Sequence, residues 1–263
     1  MLHTKEIYIS DAVSENRVDL TGVEFPVLKE FWLGSSSVPR FRRSQLYCDS
    51  LHLVGLTSCP QDYVKFLKGF TGVESIEIAG CSLIDDGNGL AQLPPGDLLS
   101  FTVSHSAAND TIAALELLDL SEVVDLYLCC VLTSNVDDDL EDGDLILVMH
   151  FSDVDLYQNV AFLEITEWHN SLHTALGVIL GSLETLPFPQ LEQLHIATEE
   201  EKEVDDESQE LLATVVLDIL SYRGALNAQP LALQVPSCLR SIQAELAQAT
   251  RALTWDECSC QKP

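Results

Sequence analysis

The stretch VESIEIAGCSL, Val73 to Leu83, places apolar side chains at Val73, Ile76, Ile78, Cys81 and Leu83. Strand side chains alternate between faces, so Ile76 and Ile78 share one face while the flanking Ser75 and Glu77 point the other way. The three-residue gaps on either side break that alternation. The spacing predicts a short strand entered and left by turns, and whether it recurs decides the fold.

It recurs along most of the chain. The same order is found at Thr4-Ile7-Ile9, Leu28-Phe31-Leu33, Cys48-Leu51-Leu53, Val73-Ile76-Ile78, Leu98-Phe101-Val103, Val123-Leu126-Leu128, Val160-Leu163-Ile165 and Leu191-Leu194-Ile196. The middle position falls at 7, 31, 51, 76, 101, 126, 163 and 194, in steps of 24, 20, 25, 25, 25, 37 and 31. The first five steps lie inside the roughly 20 to 29 residue period of leucine-rich repeats. Helical patterns fill several intervals. Gln61 to Phe70 sets Val64, Phe66, Leu67 and Phe70 at helical spacing, and Asn109-Asp110 can cap the run from Thr111 to Leu120. Ser171 to Leu186 keeps Leu172, Leu176, Ile179, Leu180 and Leu183 on one side before Pro187, and Asp206 to Tyr222 is another amphipathic run.

One strand and one helix of this size cannot close a core, whereas stacked neighbours bury their apolar faces together. The expected fold class is therefore α/β: an irregular leucine-rich-repeat solenoid with parallel strands on its concave face and helices and loops on its convex face. Its central outward row reads Tyr8, Trp32, His52, Glu77, Thr102, Tyr127, Glu164 and His195. A single solenoid is expected over residues 1–254, with acidic insertions near 137–144 and 199–207 and a C-terminal tail over 255–263. Leu145 to Phe151 reads as an additional strand, Leu231 to Val235 as a final strand, and Cys238 to Leu253 as a terminal helix.

Composition narrows the function classes. The 263 residues are 46% hydrophobic, enough for a packed core. The longest apolar runs, such as Leu145 to Met149, fall far short of the roughly 20 residues needed to cross a bilayer. The opening MLHTKEIYISDAV has no basic start or apolar block of a secretory signal, so a cytoplasmic or nuclear location is expected and the eight cysteines read as reduced thiols. A net charge of -29 argues against nucleic acid and against an anionic membrane face. From Gly69 to Glu201 there is no Lys or Arg, against 25 Asp and Glu. That field steers cationic partners towards the chain.

Motifs that would name a chemistry are missing or incomplete. A calcium loop started at Asp138 places Gly143 correctly but puts Leu140 at a ligand position and Met149 at the twelfth. His169 and His173 have helical zinc spacing but no glutamate between them, and Cys258-Ser259-Cys260 with Cys238 lacks paired CxxC spacing. There is no GxSxG, no phosphate-binding GxxxxGK, and no GxGxxG. No catalytic residue, metal ligand or cofactor is assigned. A hydrolase or metal-dependent enzyme, its site assembled from distant His, Asp and Cys, is the alternative, and a folded remnant without a partner is a third reading.

FPVLKEFWL, Phe25 to Leu33, and FPQLEQLHI, Phe188 to Ile196, share the form FPxLxxLxI. This resembles the irregular leucine-rich-repeat regions of fungal F-box proteins. The resemblance implies that the repeats receive a protein substrate for a ubiquitin ligase, in which an F-box helical module docks on the Skp1 adaptor. The sequence shows no helical LPxEI block of that module; LPPGDLL, Leu93 to Leu99, imitates its opening but leads into the Phe101 repeat. The expected function is a non-enzymatic protein-interaction scaffold for a partner with a basic surface, with Tyr8, Trp32 and Tyr127 as anchors.

Overall fold

The computed structural model describes residues 6–10, 28–34, 46–83, 97–131, 150–151, 154–180, 186–199 and 206–257. They fall into two compact units, Met1–Val123 and Val124–Pro263, where a single solenoid over 1–254 is expected from the repeats. The first contains β1 (Glu6–Ser10), β2 (Leu28–Gly34), β3 (Leu46–Val54), β4 (Thr57–Ser58), α1 (Pro60–Leu67), β5 (Phe70–Thr71), β6 (Ser75–Ala79), β7 (Ser82–Leu83), β8 (Ser100–Ser104) and α2 (Ala108–Leu117). Its main sheet runs β1-β2-β3-β6-β8 with every pair parallel. The second contains β9 (Asp125–Cys129), β10 (Phe162–Trp168), α3 (His169–Leu180), β11 (Gln193–Glu199), α4 (Asp206–Ala225), β12 (Ala232–Pro236), α5 (Gln243–Ala249) and β13 (Ala252–Asp256). These strands run β9-β10-β11-β12-β13, again all parallel and without closing into a barrel. The chain is α/β, as the alternation of strand and helix patterns predicts.

The second and third positions of all eight matches lie on strands of these sheets. The second and third apolar positions supply the buried face: Phe31, Leu33, Leu53, Ile78, Phe101, Val103, Leu126, Leu128, Leu163, Ile165 and Ile196 are fully inaccessible. The residue that ends the strand is followed by a left-handed turn at 25-residue intervals, at Gly55, Gly80, His105 and Cys130, with φ of 63°, 55°, 51° and 50°. Three of these turns donate their backbone N–H to the next strand: Gly55 to the Ala79 carbonyl, Gly80 to Ser104 and Cys130 to Thr166, at 2.7–2.8 Å. The turn drops the following residue into the interior, so Leu56, Cys81, Ser106 and Val131 are all buried. Cys81 completes the quoted stretch as a polar rung: its Sγ–H donates to the Leu53 carbonyl at 3.3 Å while the sulfur accepts the Leu56 N–H at 3.4 Å.

A left-handed conformation costs a residue with a Cβ about 1–2 kcal/mol, and glycine almost nothing. His105 is the exposed member of the set that is not glycine. His105→Gly is expected to raise the stability of the first unit by about 1 kcal/mol, read as a higher urea midpoint. His105→Ala, which keeps the Cβ, should not reproduce the gain.

Helix ends follow local chemistry. Pro60 sits in the first turn of α1, where its missing N–H is no loss, and Tyr63, Val64, Phe66 and Leu67 face inward. Asp110 lies inside the first turn of α2 rather than capping it; the N-cap is Ala107, and the Asp110 carboxylate accepts the Leu83 N–H at 3.0 Å and the Ser82 hydroxyl at 3.3 Å. In the second unit, Phe188 of the FPxL motif takes φ 54°. The buried Arg223 of α4 donates to the Phe188 carbonyl at 3.4 Å and to Leu191 at 3.3 Å, holding the entry to β11. Burial lowers the pKa of that guanidinium.

Several expected boundaries change. Cys238 to Leu253 is not one helix: a 3-10 turn over Ser237–Ile242 leads into α5, and the chain then forms β13. Trp255 and Asp256, expected at the start of a tail, therefore belong to a strand, paired in parallel with Val235 and Pro236. Thr250 occupies the first position of the template, as Thr4 does, and the parallel ladder with β12 supplies hydrogen bonds that a loose tail would leave to water. Residues 258–263 lie outside the described residues. Of the strand expected over Leu145 to Phe151, only His150 and Phe151 are described, and both are helical. The acidic insertion at 137–144 lies outside the described residues. At the other, Glu199 closes β11 and Asp206 and Glu207 open α4, leaving 200–205 outside.

Candidate protein-binding face

In the first unit the parallel register places Tyr8 beside Trp32, Trp32 beside His52, His52 beside Glu77 and Glu77 beside Thr102. The five expected outward residues thus form one continuous row across five strands. Strand spacing brings these side chains within reach of one another, and their rotation sets the rings face to face. Tyr8 and Trp32 stack with ring centroids 5.6 Å apart and planes 17° from parallel. Trp32 and His52 stack at 3.8 Å and 4°. His52 Nδ1 then meets Glu77 Oε2 at 2.7 Å. Two residues earlier on the same pleat, Glu6 accepts the Tyr8 hydroxyl at 3.3 Å and Glu30 accepts the Trp32 indole N–H at 3.2 Å. Partial desolvation of the phenol, followed by the Glu6 and Glu30 carboxylates, raises the Tyr8 pKa. On the other side of the row lie Gly34, Val54, Ala79 and Ser104.

In the second unit the register aligns Tyr127, Glu164 and His195, then continues through Gln234 and Thr254. The Tyr127 ring tilts against Phe162 at 5.3 Å. His195 is held from both sides: Nδ1 lies 2.8 Å from Glu164 Oε2 and Nε2 lies 2.5 Å from Asp256 Oδ2. The Gln234 side-chain N–H donates to the other Asp256 oxygen at 2.6 Å. The hydrogen bond to Glu164 raises the His195 pKa; desolvation works against it, and Asp256 adds to the rise. An imidazolium between two carboxylates donates from both nitrogens, which a neutral ring cannot do.

Glu6 and Glu30 join the outward face of the first unit, and Gln234 and Asp256 that of the second, without having been singled out by sequence. Pleat parity would have found Glu6 and Glu30, each two residues before an outward aromatic. Asp256 required recognition of its strand first.

Burial also sets the character of the thiols. It pushes Cys48 and Cys238 up to about 11 and Cys130 up to about 12, the nearby Glu167 adding to the last. Such thiols are protonated, and poor nucleophiles, at neutral pH. Among the described residues no group of three or more His, Cys, Asp or Glu is arranged to hold a metal ion. His173 lies on α3, with Nε2 3.3 Å from the Thr174 hydroxyl. Among the described residues no helix is long and apolar enough to cross a membrane.

No protein-family model, no curated protein and no solved structure matches the chain.

Proposed function

We propose that the chain is a non-enzymatic interaction scaffold of the leucine-rich-repeat kind, in which successive coils stack as a solenoid and the sheet forms its inner wall. The outward row then receives a protein partner with a basic surface. The observation that carries this reading is the unbroken Tyr8, Trp32 and His52 stack on an outward sheet face, bordered by the Glu6 and Glu30 carboxylates. Stacked rings hold one another upright, so their contact area is offered at little further loss of side-chain entropy. The likeness to fungal F-box repeats suggests substrate presentation to a ubiquitin ligase in the cytoplasm or nucleus, with Skp1 as the adaptor.

Photo-crosslinking tests the assignment. A photoreactive side chain at Tyr8, Trp32 or Tyr127 is expected to capture a discrete partner in extracts of the source cell, and one at the exposed Thr214 of α4 is not. Unlabelled chain should compete for the adduct, and chain carrying both Trp32→Ala and Tyr127→Ala should compete at least about 10-fold less well. Equal competition by that variant would remove the binding role from the row. Recovery of Skp1 and a cullin in the same captures would support the ligase role, and their absence would leave a plain scaffold.

A further inference from the structure

Resting on the reading of this face as protein-binding, we propose that the stack on β1 to β3 is a receptor for an arginine side chain of the partner. The guanidinium lies flat on the Tyr8 ring and pairs with the Glu6 carboxylate.

Three observations select this occupant. Tyr8 is 63% exposed, one ring face is taken by Trp32, and in the described sheet no strand lies beyond β1. Among the described residues the stack is thus three rings deep and ends in a phenol face that no further ring covers, which one more planar group would extend. The second observation is charge. Glu6 is exposed beside that face, with one carboxylate oxygen on the Tyr8 hydroxyl, and Glu30 borders the next ring in the same way. Neither carboxylate has a Lys or Arg partner among the described residues. The third is that the chain makes this kind of contact itself: the Arg240 guanidinium carbon lies 5.8 Å from the centre of the Trp255 ring.

The net charge of -29 attracts any cation, so charge alone does not separate arginine from lysine. The ring does. A guanidinium is flat, weakly hydrated across its faces, and able to stack while its edge donates two parallel hydrogen bonds to a carboxylate. An ammonium is a compact, strongly hydrated charge that cannot do both.

The test uses the full chain and three short blocked peptides, identical except for a central Arg, Lys or citrulline. Binding is followed at fixed ionic strength through the NMR shift of the Trp32 indole N–H. The Arg peptide is expected to bind about 5-fold more tightly than the Lys peptide, and citrulline, which is flat but uncharged, should lose most of the affinity. Tyr8→Leu should bring the Arg to Lys ratio to one, Tyr8→Phe should preserve it, and Glu6→Gln should weaken both charged peptides. A ratio of one in the unaltered chain, or an undiminished ratio in Tyr8→Leu, overturns the assignment. A face that captures a partner but shows a ratio of one defeats the arginine receptor alone. An intact ratio with no captured partner defeats the scaffold reading alone.

Discussion

Phe31→Ala is expected to lower the stability of the first unit by about 3–5 kcal/mol, the range for removing a fully buried aromatic side chain. Phe31 is completely inaccessible on β2. Its ring meets Phe70 edge-on at 5.2 Å and tilts against Phe66 at 6.1 Å, and those two rings lie 5.1 Å apart. The three rings come from a sheet strand, from α1 and from β5, so the cluster ties the helix to the sheet. Edge-on aromatic contacts add about 0.5–1.5 kcal/mol each beyond the area they bury. Deletion leaves a hole that the parallel ladder on both sides of β2 keeps from collapsing. Phe31→Leu retains most of the volume and should cost less than half as much. Urea unfolding of the two variants measures both values, and a loss below about 1 kcal/mol for the alanine variant would show that the core can close around the gap.

The second large effect concerns His195 and pH. Its folded pKa is raised above the ordinary value of about 6.5, chiefly by the bond to Glu164. A raised folded value means that protonation favours the folded state. The stabilisation is therefore fully present below about pH 6.5 and is lost as pH rises through the higher folded value. The groups facing the imidazole are Glu164 on β10, Gln234 on β12, and Asp256 on β13, so loss of the proton loosens the link from β11 to both sides. His195→Gln is expected to cost about 1.5–3 kcal/mol at pH 6, the scale of hydrogen bonds to charged groups. The cost should be smaller at pH 9, where the imidazole has lost more of its proton. Hydrogen exchange at the β11 and β13 amides, in both proteins and at both pH values, checks this; a difference that does not vary with pH would assign His195 a packing role only.

The strands were legible because their inward positions are apolar and every second residue must share a face; Ile76, Phe101 and Leu126 could hardly have been placed otherwise. The outward row followed from the same parity, and within each unit its members are strand neighbours in the register. The last strand was not legible. Cys238, Leu239, Ile242, Leu246 and Leu253 have helical spacing, which drowned the Leu253 and Trp255 alternation, and Asp256 was lost with it. Contacts such as the Trp32 and His52 stack depend on side-chain rotation, on which residue spacing is silent.

Because each outward residue comes from its own strand while the inward residues carry the packing, the face can be rewritten position by position. Randomising Tyr8, Trp32, His52, Glu77 and Thr102 together would change five adjoining surface points and leave the buried lining of the sheet as it is. The chain is in that respect a ready-made display library, its variable sites spread along the gene but side by side in space.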